Sequence, residues 1–581
     1  MSDGAENALR GLGRPNVILA GPMGCGKTTT GEALARRLGM PFLDTDRLIE
    51  AESGKSIREI FETGGEIGFR SLERAAVRKA CRLRNTVVAV GGGALLDRRN
   101  LALVKYSGVT IGLIASPEAI LERTRGDGDR PLTSGDSGEK RLPQIQELLE
   151  ARRSSLEGLD RVIDTSSQSV PECLETVLAV LEAKRFPLID TMAEDVASTG
   201  VARTVRVSLA RGDSYPVLVG EGVLARCGAL LRDTEVSRDI RADRILIITN
   251  HLLDLLYGRP LKASLKTAGF QCGTLTLPDG ERTKSLNTAA KIYDRMASEG
   301  MGRDTLVLAL GGGVIGDLAR FVASTYMRGV PLVQIPTSLL AQVDASVGGK
   351  VAVNHPGAKN LIGAFYHPVA VLADTGVLAS LPEREYVEGL AEVVKYGIAV
   401  DGGFFEFLEV NAAALLRRDR AVLSGVVERC CGTKASVVER DEKDRGQRAV
   451  LNFGHTVGHA LEAASGYGRM RHGEAVSVGM SVAMNMAQRV GLMRESDAMR
   501  GIALLRKLGL PTQTRLGYDS IRPFLALDKK AKGGKMTFVL PAGLGRCTVA
   551  THVEPRLVEE ALLDCRGAVA RGKPPRGSNQ R

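Results

Sequence analysis

Gly21-Pro22-Met23-Gly24-Cys25-Gly26-Lys27-Thr28 stands between an apolar run, Asn16 to Ala20, and a helix-forming stretch that continues through Leu38. The spacing of its outer glycines from the Lys-Thr pair is that of a phosphate-binding loop. In such a loop the backbone N–H groups of Gly24, Cys25, Gly26, Lys27, Thr28 and Thr29 turn inward around nucleotide phosphates. Lys27 adds a point charge, and the Thr28 hydroxyl reaches the Mg2+ that accompanies ATP. The following helix adds its dipole at the same end. A decoy, Gly54-Lys55-Ser56, lacks the loop because Ile49 stands where the first glycine belongs. A strand feeding such a turn and then a helix opens a parallel α/β sheet. Further strands at Thr86 to Val90, ending in Gly91-Gly92-Gly93, and at Thr110 to Ile114 extend that sheet.

The chain has 581 residues, too many for one compact core, so two or three folding units are expected. The first α/β unit covers 1–184. Residues 185–202 have weak periodicity and read as a linker. A second α/β unit covers 203–380, with strands at Arg244 to Thr249, Thr305 to Leu310 and Leu332 to Ile335. Residues 381–565 are dominated by amphipathic helical patterns, with a hairpin near Met536 to Leu540. The tail, 566–581, is basic and rich in Gly and Pro, and is expected to be disordered.

Hydrophobic residues at 44 % and charged residues at 25 % are ordinary for a globular protein. No apolar run approaches the roughly 20 residues that span a bilayer, and no signal-peptide pattern opens the chain. A cytoplasmic enzyme without a membrane contact is expected. The net charge is +11, yet Trp is absent and aromatics are 4 %, which leaves little for stacking on nucleic acid bases. Small anionic substrates explain the basic excess as well. Nine cysteines form no Cys-x-x-Cys pair and read as reduced thiols.

After the phosphate loop come Asp44-Thr45-Asp46, Phe69-Arg70, the triple glycine, Arg130-Pro131-Leu132 and Arg152-Arg153. In this order and spacing the first 180 or so residues resemble the shikimate kinase family. The resemblance implies that Asp46 accepts hydrogen bonds from substrate hydroxyls, that Arg70 and Arg153 pair with the substrate carboxylate, and that Gly92 admits the ring. It also implies that Asp44 helps hold Mg2+ through water and that Arg130 descends on the ATP phosphates from a lid. Arg153 is preferred to Arg152 from its spacing to Leu156. Another small-metabolite kinase of the same fold is the alternative.

In the second half, Gly311-Gly312-Gly313-Val314-Ile315-Gly316-Asp317 follows a strand with dinucleotide-loop spacing. No acidic residue ends a clear strand about 20 residues later, so the motif alone divides evenly between NAD(P) binding and a tight turn. Of seven histidines, His455, His459 and His472 fall close together, and His455 and His459 share a face if the segment is helical. With Glu392 and Glu474 they point to metal binding or acid–base work.

These segments, with Pro278 to Lys284, Tyr326 to Gly329, Pro336 to Ser338, Asp344 to Lys350, Lys359-Asn360, Leu390 to Gly397, Arg448 to His455, His472 to Glu474 and Asp528 to Lys530, resemble the 3-dehydroquinate synthase family from about Arg203 to Cys565. The implied fold is an α/β P-loop kinase domain followed by an α/β NAD-binding domain and a mainly α-helical C-terminal domain. The resemblance implies that Glu392, His455 and His472 hold Zn2+ or Co2+, and that His459 faces the substrate phosphate. NAD+ contacts implied are Asp279, Gly280, Glu281, Arg282, Thr283, Lys284, Gly313, Val314, Ile315, Gly316, Asp317, Thr337, Ser338, Lys350, Lys359, Val377, Leu378, Ala379 and Ser380. Substrate contacts implied are Arg328, Asp344, Lys350, Asn360, Lys395, Lys434, Arg448, Asn452, His459 and Lys529, with Lys530 the alternative to the last. Lys27, Arg130, Lys395, Arg448, Asn452 and His459 are the expected catalytic residues. The family is usually dimeric, so a homodimer through the synthase half is expected, with Arg328 reaching the neighbouring subunit. The reaction implied converts 3-deoxy-D-arabino-heptulosonate 7-phosphate to 3-dehydroquinate with release of phosphate. A related sugar-phosphate cyclase, an alcohol dehydrogenase of similar architecture and an inactive scaffold are the rival readings.

Overall fold

The computed structural model describes residues 14–124, 138–156, 158–186, 202–209, 214–233, 240, 242–444, 446–466, 469–527 and 536–567. The linker after residue 186 and the tail after residue 567 therefore lie outside the described residues.

The first sheet starts with β1 (Asn16–Ala20), whose Val17, Ile18 and Leu19 are fully buried. A strand buried on both faces suits a parallel sheet covered by helices. Helix α1 (Lys27–Leu38) follows, then β2 (Phe42–Asp44) and α2 (Thr45–Ser53). Helix α3 (Ile57–Ala80) is opened by a Ser56/Glu59 capping box and broken at Gly65, where φ is 60°. β3 (Val87–Ala89), β4 (Gly108–Ile114), α4 (Gly138–Leu156) and β5 (Arg161–Asp164) complete the frame. The strands lie parallel in the order β2-β3-β1-β4-β5. β1 is central, so the loop after it opens at the middle of the sheet's C-terminal edge, where open α/β sheets bind ligands.

The second sheet is seven-stranded. It contains the antiparallel pair β6 (Arg203–Ser208) and β7 (Ser214–Gly220), then β8 (Arg244–Asn250), β9 (Gln271–Leu277) and β10 (Leu306–Gly311). Helix α5 (Gly313–Thr325) and β11 (Leu332–Pro336) follow. A separate hairpin, β12 (Lys350–His355) with β13 (Ala358–Phe365), precedes β14 (Ala370–Asp374). The order is β6-β7-β14-β11-β10-β8-β9, parallel apart from β6. Winding reverses between β8 and β10, a topological switch point, and the triple glycine 311–313 follows β10 there. The absence of an acid 20 residues beyond this turn has a topological reason. The glycine turn follows β10, the fourth strand of the parallel set in chain order, rather than the first, and the acid beyond the preceding strand, β9, is Asp279, two residues past its end.

The helical region contains α6 (Glu383–Ala399), α7 (Arg420–Arg440), α8 (His455–Ala464), α9 (His472–Arg489) and the hairpin β15 (Met536–Pro541)–β16 (Cys547–Val553). Helices α8 and α9 cross in close contact. Gly454 has φ 77°, and a Cβ there would lie 2.5 Å from Met480 Cγ. A Cβ on Gly479 would lie 2.0 Å from the Gly454 carbonyl oxygen, so no larger residue fits this crossing.

The structure groups into two compact units. One comprises Met1–Ser208, Asp213–Tyr386 and Leu416–Cys431, and the other Leu209–Gly212, Val387–Leu415 and Gly432–Arg581. Both α/β sheets thus belong to a single unit. Within it, α2 touches the turn His251–Leu253, and edge strand β2 touches the segment Asp254–Gly258. The Arg84 N–H donates to the Ser380 carbonyl at 3.2 Å, and its guanidinium donates to Glu383 at 2.9 Å. Lys79, at the end of α3, sits 3.6 Å from Asp279.

Candidate functional sites

The phosphate loop keeps its form through main-chain geometry. Gly21 has φ 145°, and a Cβ there would sit 2.0 Å from the Leu113 carbonyl oxygen, so the first position tolerates only glycine. Lys27 Nζ donates to the Gly21 and Pro22 carbonyls, both at 2.8 Å, which holds its charge over the loop. The Thr28 hydroxyl donates to Asp44 Oδ2 at 2.8 Å. The other Asp44 oxygen accepts the Asp46 N–H at 2.9 Å and caps α2. Thr28, Asp44 and Asp46 line one cleft of about 460 Å³ with Arg47, Glu50, Ser56, Ile57 and Arg58.

At the triple glycine, Asp46 Oδ1 lies 2.6 Å from the place a Gly91 Cβ would take, and Arg70 Nη1 lies 2.7 Å from that of Gly93. Arg70 donates to Glu73 at 2.8 Å, and Glu73 is 2 % exposed. Burial raises the Glu73 carboxyl pKa against the lowering by Arg70. The arginine beside Gly92 is Arg152, whose Nη1 is 3.2 Å from the Gly92 Cβ position. Burial and the charge of Arg70 lower its pKa. Arg70 pairs with the exposed Glu66 at 3.2 Å as well as with the buried Glu73, and the Arg152 charge acts on Glu73 from nearby. The side chain of Arg153, the residue expected here, lies outside the described residues, as does Arg130. Glu73 escaped the sequence reading, although its position three residues after Arg70 on one helix was a signal.

In the second sheet, Lys284 is buried, and its Nζ donates to Asp317 at 2.6 Å and Asn360 at 2.5 Å. Two expected cofactor residues and one expected substrate residue meet at that ammonium. Asn354, missed from sequence, ties the hairpin to the 279–284 loop by donating to Glu281 at 2.8 Å. The Thr337 N–H donates to the Gly311 carbonyl at 3.0 Å, and Ser338 Oγ lies 3.3 Å from the Gly312 Cβ position. The turn Thr375–Ser380 carries Val377, Leu378, Ala379 and Ser380. Arg418 donates to the Leu378 and Ala379 carbonyls, both at 2.8 Å, and Tyr257 donates to that of Val377 at 3.2 Å. Lys350, Lys359 and Arg328 are exposed, and Asp344 is half-buried. Arg328 has φ 69° on a turn where Met327 also has positive φ.

In the helical unit, Glu392 on α6 is fully buried. Its Oε1 faces His472 Nε2 at 3.4 Å and His455 Nε2 at 3.6 Å, while its Oε2 contacts Lys395 Nζ. One ligand atom from each of Glu392, His455 and His472 lies within 4.8 Å of the others. This carboxylate-and-two-imidazole donor set fits Zn2+ or Co2+, with coordination positions left for a substrate. His455 Nδ1 meets the Phe453 carbonyl at 3.1 Å, which fixes the ring. Burial pushes the His455 pKa down to about 3, so its ring is neutral. Burial also opposes charge on His472, but hydrogen bonds and charge from Glu392 and Glu462 outweigh it and raise that pKa to about 10.

His459 lies on the same face of α8, its ring centroid 5.3 Å from that of His455, and is exposed. Lys395, Lys434 and Arg448 are buried cations, and Arg448 donates to the Glu442 carbonyl at 3.1 Å. Asn452 ends the short turn before Phe453. Lys529 and Lys530 lie outside the described residues.

Three family profiles match the chain: shikimate kinase over residues 23–182, 3-dehydroquinate synthase N-terminal over 274–388 and 3-dehydroquinate synthase C-terminal over 389–531. A 3-dehydroquinate synthase of Desulforamulus reducens is 46 % identical over 353 residues, covering 60 % of this chain and 97 % of that one. Among solved structures, 2-epi-5-epi-valiolone synthase of Streptomyces hygroscopicus subsp. jinggangensis, with NAD+ and Zn2+ bound, is 30 % identical with a TM-score of 0.56, covering 62 % of this chain and 99 % of that one. A 2-deoxy-scyllo-inosose synthase complexed with carbaglucose-6-phosphate, NAD+ and Co2+ is 28 % identical with a TM-score of 0.57, covering 62 % and 100 %. The chain belongs to the 3-dehydroquinate synthase family and carries a shikimate kinase ahead of it, so that one polypeptide provides two enzymes of the shikimate pathway.

Proposed function

We propose the following division of labour within these two activities. In the kinase, Asp46 orients the shikimate hydroxyl that is phosphorylated, and Arg70 and Arg152 hold the carboxylate, with Glu73 keeping Arg70 in place. Lys27 compensates charge on the transferred phosphoryl group, and Thr28 and Asp44 hold the Mg2+ of MgATP, directly and through water. Arg130 closes over the phosphates, as its family position implies.

In the synthase, Glu392, His455 and His472 would hold Zn2+ or Co2+, and the loops 279–284, 313–317 and 377–380 would hold NAD+. When bound, the metal polarises a secondary hydroxyl and the dinucleotide accepts and later returns a hydride, with no net redox change. Lys395, held against the non-facing oxygen of Glu392, binds and orients the substrate beside the metal ligands. His459 and Arg448 bind phosphate, and Lys434, Asn452 and the lysine at 529 or 530 complete the anion contacts. Lys284 fixes Asn360 and Asp317 relative to each other, so substrate and cofactor loops keep one geometry. The observation that carries the metal reading is the convergence of both histidine Nε2 atoms on one oxygen of Glu392.

The test is an assay of phosphate release from 3-deoxy-D-arabino-heptulosonate 7-phosphate. Phosphate should appear without accumulation of NADH. Accumulating NADH would make this half a dehydrogenase. We also read the enzyme as a cytoplasmic homodimer joined through its synthase half. Arg328 on its exposed, left-handed turn supports that reading, as do nine free cysteines. Among the described residues no helix is long and apolar enough to cross a membrane.

A further inference from the structure

The two metal-facing histidines differ in what stands behind them. His455 turns Nδ1 to a main-chain carbonyl, that of Phe453. His472 turns Nδ1 to a carboxylate, Glu462 Oε2, at the ion-pair distance of 3.7 Å. Its other nitrogen, Nε2, is the one that faces Glu392. Glu462 is 12 % exposed and His472 30 %, so solvent screens this pair only in part. It lies on α8, seven residues after His455 and three after His459, a spacing that puts all three on one helical face. The helix thus offers a ligand, a substrate-facing imidazole and a carboxylate behind a ligand of the neighbouring helix.

We propose that Glu462 is a positioning residue for the metal, acting through His472. It holds the proton on Nδ1, which leaves the Nε2 lone pair for the metal, fixes the ring plane and makes the imidazole a stronger donor. A carboxylate behind one imidazole and a carbonyl behind the other gives the two ligands unequal basicity. The proposal rests on the metal reading of Glu392, His455 and His472.

The experiment uses the full chain with Glu462→Gln, which keeps size and removes charge, and Glu462→Ala. Zinc affinity is measured by competition with a chromophoric chelator, and a wild-type circular dichroism spectrum and thermal unfolding midpoint of the metal-free variants report that the helical unit is folded. Glu462→Gln should bind zinc 10- to 100-fold more weakly, the usual range for such outer partners, and Glu462→Ala at least as weakly. With saturating Co2+, the visible absorption of both variants should shift as the His472 ring reorients. Wild-type zinc affinity within twofold, with an unchanged cobalt spectrum, overturns the role of Glu462. A wild-type chain that takes up no zinc or cobalt removes the metal reading itself, and that result is distinct from the first.

Discussion

In the kinase, the loop proposed to hold the phosphates is one unbroken stretch, residues 21–29, shaped by its main chain, with Arg130 the one proposed contact from elsewhere. In the synthase, the candidate metal ligands come from three helices, and side chains alone would do the holding. The difference shows in what secures each site. The phosphate loop depends on backbone angles at glycines and on strand β1 beneath it. The metal cluster depends on the close crossing of α8 and α9, which brings His455 and His472 to within 5.3 Å, centroid to centroid. A backbone site tolerates changes in the side chains around it, whereas a side-chain site is lost when its supporting crossing opens.

The largest effect that tests this contrast is Lys27→Ala. It should lower shikimate phosphorylation by about 1000-fold or more, because charge compensation at the transferred group is lost, while synthase turnover stays unchanged. Coupled assays of both activities on one preparation check it. Next, His455→Ala and His472→Ala should each strip the metal and lower synthase activity by more than about 100-fold, with the kinase unaffected. His459→Ala should lose a comparable share of turnover yet retain zinc on elemental analysis. Zinc missing from that variant would put His459 among the ligands.

A smaller effect separates the two arginines of α4. Arg152→Ala should raise the KM for shikimate by about 10- to 100-fold, as expected for one charged hydrogen-bonding group worth about 1.5–3 kcal/mol. Arg153→Ala should change it less than about threefold, and the reverse order would restore the assignment made from spacing. The smallest concerns the contact between the kinase and the nucleotide-binding sheet. With a protease site inserted within 187–201 and cut after purification, the halves should co-elute on gel filtration. Arg84→Glu should loosen them by about 1 kcal/mol while leaving kinase kcat within about twofold. Halves that separate at once in the unmutated chain would show that the contact does not hold them together.

The contrast also explains what was legible in the sequence. Strand β1 was readable residue for residue because it is a short apolar run ended by the glycine loop. The dinucleotide turn was ambiguous because the usual acid rule assumes a turn after the first strand, whereas this turn follows β10, the fourth parallel strand. The metal trio came from family resemblance, since an His-x-x-x-His spacing by itself suggests His455 with His459. Only tertiary packing turns His472 and Glu392 toward His455. Arg152 and Arg153 could not be separated by spacing, because neighbouring helical residues face different ways and a local pattern does not fix which faces the glycines. Glu462 was invisible for a related reason: its partner sits on another helix.

Strand β2 forms one edge of the kinase sheet, and the segment Asp254–Gly258 of the nucleotide-binding region lies against it. A bare strand edge invites pairing with other chains. During synthesis the kinase leaves the ribosome first: its last helix is Val170–Ala183, and the segment that lies against its edge begins only at Asp254. At about 5–20 residues per second, the folded kinase waits some 4–15 seconds with that edge open. The order of the two enzymes along the chain therefore sets a brief interval of aggregation risk, which closes when the nucleotide-binding region emerges and docks.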